Sequence, residues 1–131
     1  MQTLTHIFSL MKNIDLAARV SELNNLIHEM RFEEALNEFY DEATISVENE
    51  DQTTIGLEFY RESARRYLGS VTNYSANLLN VIVSDNITVT EWHYQFDHAE
   101  WGHWDMRQIS VQRWRHGKIV HERHHYDKPN S

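Results

Sequence analysis

The sequence predicts one α+β domain, helices first and then a curved antiparallel sheet that wraps a small-molecule pocket. Two observations carry this. Up to Leu68 apolar residues recur mainly every three to four positions, broken by one short alternating stretch, and from Ser70 onward the period drops to two. The connections between the later segments are also short, which requires antiparallel neighbours.

Leu16, Val20, Leu23, Ile27 and Met30 fall at spacings of four and three and line one face of a first helix. Asn13 or Asp15 supplies its N-cap. Residues 1–13 form an arm or an extra helical turn. Phe32, Ala35, Leu36, Phe39 and Tyr40 repeat the pattern in a second helix, offset by a kink at 29–31. Residues 43–48 alternate Ala43, Ile45 and Val47 against Thr44, Ser46 and Glu48, a short strand. A third helix turns Leu57, Tyr60, Ala64, Tyr67 and Leu68 inward, and Gly69 stands where a left-handed C-cap belongs.

Four strands account for the rest, near residues 72–83, 87–97, 103–115 and 118–126. Each connection reads as a three-residue loop ending in a left-handed residue: Ser84-Asp85-Asn86, Glu100-Trp101-Gly102 and Arg115-His116-Gly117. Asn and Gly tolerate the positive φ that this needs. The loops fix the register, and register decides which side chains share a face. One face then carries Tyr74, Ala76, Leu78, Ile82, Trp92, Tyr94, Phe96, Met106, Gln108, Ser110, Gln112, Trp114, Val120, Glu122, His124 and Tyr126. The other carries Leu79, Val81, Val83, Val89, Ile109, Val111 and Ile119 among Glu91, His93, Arg107, Arg113, His121, Arg123 and His125.

Neither face is purely polar, although a sheet with one side in water should alternate cleanly. The first face is aromatic with a few polar groups inserted, a composition that suits a ligand cavity under the helices. The second mixes an apolar stripe with charges, as a subunit interface does. A homodimer through the convex face is expected.

Composition narrows the partners. The 131 residues, 40% apolar, suffice for one core in a single domain, with 128–131 as a tail. A formal charge of −8, with Arg and Lys scattered among acids, argues against nucleic acid and anionic membrane. No cysteine is present, so no disulfide or thiolate site is proposed. The apolar stretch at 6–11 is too short to span a bilayer and lacks signal-peptide flanks. A cytoplasmic protein is expected.

Residues 111–127, VQRWRHGKIVHERHHYD, with the pair Glu91-Trp92 and the order of three helices before a meander, resemble SnoaL-like proteins. These belong to the nuclear transport factor 2-like, or ketosteroid isomerase-like, superfamily. The resemblance spans about residues 16–127. It implies a cystatin-like cone, a strongly bent sheet whose concave face and helices enclose a pocket and whose outer face often dimerises. It does not choose an activity, since isomerases, cyclases, epoxide hydrolases and non-catalytic binders share the fold. The steroid isomerase pattern needs a Tyr on the first helices, an Asp base in the loop after them and an Asp on the penultimate strand. Tyr40 matches the first loosely, and Ser110 stands about where the strand acid belongs. The Arg–Asp pair of the epoxide hydrolases is absent, so neither activity carries over.

The strongest constellation for chemistry is Glu122 with His124, two residues apart on the pocket face, with Ser110 opposite Glu122 and Gln108 opposite His124. A carboxylate among Trp92, Trp114 and Tyr126 should lose hydration, which raises its pKa toward general-base values. His124 is then the partner acid or orienting group, and Ser110 completes the set. The bland alternative is a buried hydrogen bond that positions the last strand. Tyr40, Tyr94, Trp92, Gln108, Gln112, Trp114 and Tyr126 are the expected ligand contacts, and Tyr60 and Tyr67 are further donors. The expected ligand is small, apolar or carbonyl-bearing, with no cofactor. Ser110, His124 and Glu122 are the one Ser–His–acid set in reach, but no activated-serine turn accompanies them, so nucleophilic catalysis is not expected. His93, His121 and His125 share the outer face while His124 faces inward, so no metal site is assigned. Arg61, Arg65 and Arg66 read as i,i+4 partners of Glu58 and Glu62.

Overall fold

The computed structural model describes residues 4–50 and 52–128. Helix α1, Leu4–His28, runs straight through Asn13 and Asp15, so neither caps it; of the two alternatives for the N-terminal stretch, an arm or an extra helical turn, the residues from 4 on are helical. It ends in a Schellman arrangement. Met30 takes φ 64°, its N–H reaches the Ile27 carbonyl at 3.0 Å, and the Arg31 N–H reaches that of Leu26 at 2.8 Å. The predicted kink is therefore a true helix end, and α2, Phe32–Phe39, starts afresh.

Strand β1, Tyr40–Glu48, follows α2 directly and pairs antiparallel with β2, Gln52–Ile55, a strand the sequence pattern missed. Helix α3, Leu57–Ser70, continues through Gly69 into extended backbone at Val71, so Gly69 is not a left-handed cap. Strands β3, Val71–Ser84, β4, Ile87–His98, β5, Gly102–Arg115, and β6, Lys118–Tyr126, form the meander. The sheet order is β2-β1-β6-β5-β4-β3. β1 runs parallel to β6, pairing Ser46 with Glu122 and Glu48 with His124, so the sheet is mixed, not wholly antiparallel. This pair joins the first strand to the last, and the chain between them supplies the long crossover that parallel strands need.

The hairpins depart from the predicted register in an instructive way. β3–β4 and β5–β6 close through two-residue turns, Asp85-Asn86 and His116-Gly117, one residue shorter than expected. A one-residue change reverses every facing. Each hairpin then takes a bulge, at Leu79 on β3 and at Val120 on β6, which reverses it back. Between turn and bulge the predicted faces are wrong: Val81, Val83 and Ile119 turn toward the helices, and Ile82 is exposed. Beyond the bulge they are right. The middle hairpin keeps a three-residue loop but shifted by one, Ala99-Glu100-Trp101, which moves pairs by two and preserves the faces.

The core has two parts. Leu16, Val20 and Leu23 of α1, Leu36 and Phe39 of α2, and Leu57 of α3 pack on Trp114 and Ile119. Trp92, Tyr94 and Phe96 of β4 pack with Val71 and Ala76 against Ile27, Met30 and Tyr67. Between these clusters the helices stand off the sheet. Among the described residues no helix is long and apolar enough to cross a membrane.

Candidate functional site

The gap is a cavity of about 1010 Å³, at the upper end of small-molecule sites. Its wall is aromatic. Alternate residues of β4 face one side, so Trp92, Tyr94 and Phe96 form a ladder. Trp92 stacks on Tyr94 at 5.5 Å and Phe96 on Trp104 at 5.7 Å. Tyr67 and Tyr74 close the wall from α3 and β3. At one edge Trp101 stacks on His98 with centroids 3.6 Å apart.

Its floor is polar and centres on Glu122, which is 1% exposed. One carboxylate oxygen accepts from Tyr40 Oη at 2.6 Å and Gln112 Nε2 at 2.6 Å. The other accepts from Tyr60 Oη at 2.5 Å and lies 3.0 Å from His124 Nε2. The opposite ring nitrogen, Nδ1, meets Ser110 Oγ at 2.7 Å and Gln108 Nε2 at 3.2 Å. Behind Gln112, Trp114 Nε1 donates to Thr88 Oγ1, which donates to Gln112 Oε1. An indole N–H can only donate. The Glu122 carboxylate can only accept, so Gln112 presents Nε2 to it and leaves Oε1 for the Thr88 hydroxyl.

This environment corrects the expected charge behaviour of Glu122. Burial does disfavour its anion, but the adjacent His124 and the donors Gln112 and Tyr40 outweigh it and bring the carboxyl down to about 2. For His124 burial works against the proton, and the Glu122 carboxylate overcomes it, so the imidazole is held above its usual range. Burial, with Glu122 beside them, pushes the Tyr40 and Tyr60 hydroxyls well above 10, so both stay neutral donors. Glu122 is not a free base with a raised pKa. It is a carboxylate with four partners.

Of the predicted site residues, Glu122, His124, Ser110, Tyr40, Tyr94, Trp92, Gln108, Gln112 and Tyr126 all line the cavity. Trp114 does not: it lies in the core edge-on to Phe39 at 6.4 Å, because the two-residue turn pairs it with Ile119 under the helices. The pairing also shifts by two, so Gln112 is opposite Glu122, Ser110 opposite His124 and Gln108 opposite Tyr126. The arginine cluster is wired differently from the expected i,i+4 pattern. Arg61 pairs with Glu58 at i,i+3, and Arg65 reaches Glu33 of α2 as well as Glu58. Among the described residues no group of three or more His, Asp and Glu converges as a metal site.

Tyr60 is the main member of the floor that the sequence reading left as one donor among several. Its place on the inward stripe of α3 was visible, but not that this stripe ends over β6. Ser46, opposite Glu122 on β1, was hidden for the same reason, since the β1–β6 pairing is invisible locally.

A family model of the SnoaL-like domain matches residues 11–126, nearly the whole chain, and the chain belongs to that family. No curated protein matches it. Among solved structures it is similar to Bal32a from a soil-derived mobile gene cassette, at 18% identity and a TM-score of 0.73, covering 88% of this chain and 91% of that one. It is similar to an NTF2-like protein of unknown function from Burkholderia xenovorans, at 16% identity and a TM-score of 0.72, covering 92% and 89%. An LEH-like epoxide hydrolase of M. tuberculosis aligns at 14% identity and a TM-score of 0.70, covering 84% and 80%. Identities this low establish a shared fold, and the chemistry has to be argued from the site.

Proposed function

We propose that the domain binds a flat, largely apolar small molecule that bears a carbonyl, with the rings against Trp92, Tyr94 and Phe96 and the oxygen toward Ser110, Gln108 and His124. The observation that carries this reading is the convergence of one polar floor with an aromatic wall inside a single cavity. Two unsatisfied groups on cavity-lining residues, Thr90 Oγ1 and Trp104 Nε1, add support; neither has a partner among the described residues. A thermal-shift screen of hydrophobic carbonyl compounds tests it. At 100 times Kd a ligand adds about 2.7 kcal/mol, a shift of several degrees. If no such compound moves the transition, while apolar compounds without a polar group do, the role given to the floor is wrong.

A second reading is catalytic: a cofactor-independent isomerase, cyclase or hydrolase. The buried Glu122–His124 pair favours it, because such pairs seldom improve stability and cluster at functional sites. In this reading His124 is the proton donor and Glu122 holds its charge. Glu122→Gln should then abolish turnover of a bound compound, and unchanged turnover would remove the role.

We also propose that two copies meet through the convex face, where Val89, Ile109 and Val111 lie among Glu91, Arg107, Arg113 and Arg123. Sedimentation at micromolar concentration should give a dimer, and a monomer alone would refute the proposal. The cysteine-free sequence fits a reducing compartment, and we place the protein in the cytoplasm on that basis.

A further inference from the structure

We propose that Ser110, His124 and Glu122 form a nucleophilic relay that opens carboxylic esters held in the cavity, with Ser110 Oγ as the attacking atom. The proposal rests on the reading of the cavity as a site for carbonyl compounds and adds a reaction to it. The three side chains form one unbroken hydrogen-bonded line, Ser110 Oγ to His124 Nδ1 at 2.7 Å and His124 Nε2 to Glu122 Oε1 at 3.0 Å, and all three line the cavity. This is the spacing that lets an imidazole take a hydroxyl proton while a carboxylate fixes its tautomer.

The surroundings decide which nitrogen is basic. Tyr40, Tyr60 and Gln112 all donate to Glu122, which is held as a carboxylate and can only accept. Glu122 is therefore an acceptor toward His124 and keeps the imidazole proton on Nε2. That leaves the Nδ1 lone pair facing the Ser110 hydroxyl. Glu122 does not touch the ester in this scheme. It is a positioning residue.

The step balances without any co-reactant. Ser110 Oγ bonds to the ester carbonyl carbon as its proton passes to Nδ1. The carbon–alkoxy bond breaks, and the leaving alcohol takes that proton. Water then adds to the acyl-serine, giving one proton to Nδ1, and Ser110 Oγ recovers it as the carboxylic acid departs. Ester and water become acid and alcohol. Ser110 stands in mid-strand rather than on a strand-to-helix turn, so no pair of free backbone N–H groups awaits the oxyanion. Gln108 Nε2, 3.2 Å from Oγ, is the nearby side-chain donor. Acylation should therefore be slow, and a covalent trap is the sensitive readout.

The groups facing His124 are Glu122 on its own strand, Glu48 on β1 and Tyr60 on α3, with Ser110 and Gln108 from β5. Glu122 keeps His124 protonated above the usual histidine range, so the base appears only as pH rises through that raised value. Whole protein is incubated with an alkyl fluorophosphonate between pH 6 and 10, and the modified peptide is located by mass spectrometry. Labelling should fall on Ser110, increase with pH, and vanish in Ser110→Ala. It should drop at least about 100-fold in His124→Gln, the scale of one lost general base. In Glu122→Gln the half-maximal pH should move down toward about 6.5, the unperturbed histidine value, and Glu122→Asp should restore part of the shift. That pH movement is something a merely structural Glu122 would not produce. p-Nitrophenyl butyrate should show a burst of nitrophenol stoichiometric with protein. Carbonyl compounds that stabilise wild type and Ser110→Ala alike, with no labelling at Ser110, would overturn the relay and leave the binding reading standing. Absence of both binding and labelling would overturn both.

Discussion

The wall and the floor of the cavity are built by opposite means. The wall gains stability from what it buries: Trp92, Tyr94 and Phe96 remove large apolar surfaces from water and stack on one another or on Trp104. The floor buries a carboxylate and most of an imidazole and recovers the loss through hydrogen bonds, four of them on Glu122. A wall of this kind follows from the need for a core. A floor of this kind does not, since apolar side chains of similar volume would hold the strands as well or better. That asymmetry is why function is assigned to the floor.

Truncation should separate the two most sharply. Trp92→Ala should cost about 3–5 kcal/mol of unfolding free energy in urea, the range for large aromatic-to-alanine changes in cores. Glu122→Ala should cost a similar 3–5 kcal/mol or so, for the different reason that it leaves charged His124 without its partner. The double replacement Glu122→Met with His124→Leu breaks the parallel. It should be neutral, or stabilising by about 1–4 kcal/mol, with carbonyl-compound binding lost. If the double variant is as unstable as Glu122→Ala, the floor is structural and the contrast with the wall fails.

The next effect depends on pH. Glu122 titrates lower in the folded chain, so its contribution is present above its unfolded value of about 4.3 and fades as pH falls toward the folded value. His124 titrates higher when folded, so its contribution is complete below about 6.5 and disappears as pH rises through the folded value. The pair therefore helps most between about pH 4.5 and 6.5. Tm should fall between pH 6 and pH 9, and Glu122→Gln should flatten the alkaline limb. Wall variants should keep it.

Tyr60→Phe is milder. It removes a donor to Glu122 but leaves Tyr40, Gln112 and His124, so about 1–2 kcal/mol is expected by urea denaturation. A 15N resonance of His124 followed through the titration would show whether the imidazole responds as well.

How much of this the sequence held depends on what each residue's position required. The wall was legible because period-two alternation along β4 depends only on neighbours in the chain. Glu122 and His124 were placed on the correct face through two errors that cancel, a turn one residue too long and an unseen bulge at Val120. Ile119 and Val83 lie between turn and bulge, where nothing cancels, and both were placed outside. The bulged residues themselves, Leu79 and Val120, are not the glycine or asparagine that would announce a bulge. What stayed hidden was non-local: the parallel pairing of β1 with β6, and with it Ser46 and Tyr60 over Glu122. The charge state of Glu122 departs from the sequence expectation for the same reason, since its burial follows from its neighbours in the chain and its donors do not.

The smallest expected effect lies at the edge where wall meets solvent. Trp101 is 55% exposed, and its ring lies flat on His98, whose Nδ1 accepts the backbone N–H groups of Glu100 and Trp101 at 3.1 and 3.2 Å. Because those bonds are made by backbone, Trp101→Ala leaves the loop pinned and forfeits only the stacking, about 0.5–1.5 kcal/mol. Trp101 also lines the cavity, so the same change should alter ligand release more than folding. Stopped-flow measurement with any compound from the thermal screen should give a faster off-rate and a Tm within a few degrees of wild type. A large loss of Tm would mean that the aromatic wall extends structurally to the edge, and the boundary drawn between wall and mouth would have to move.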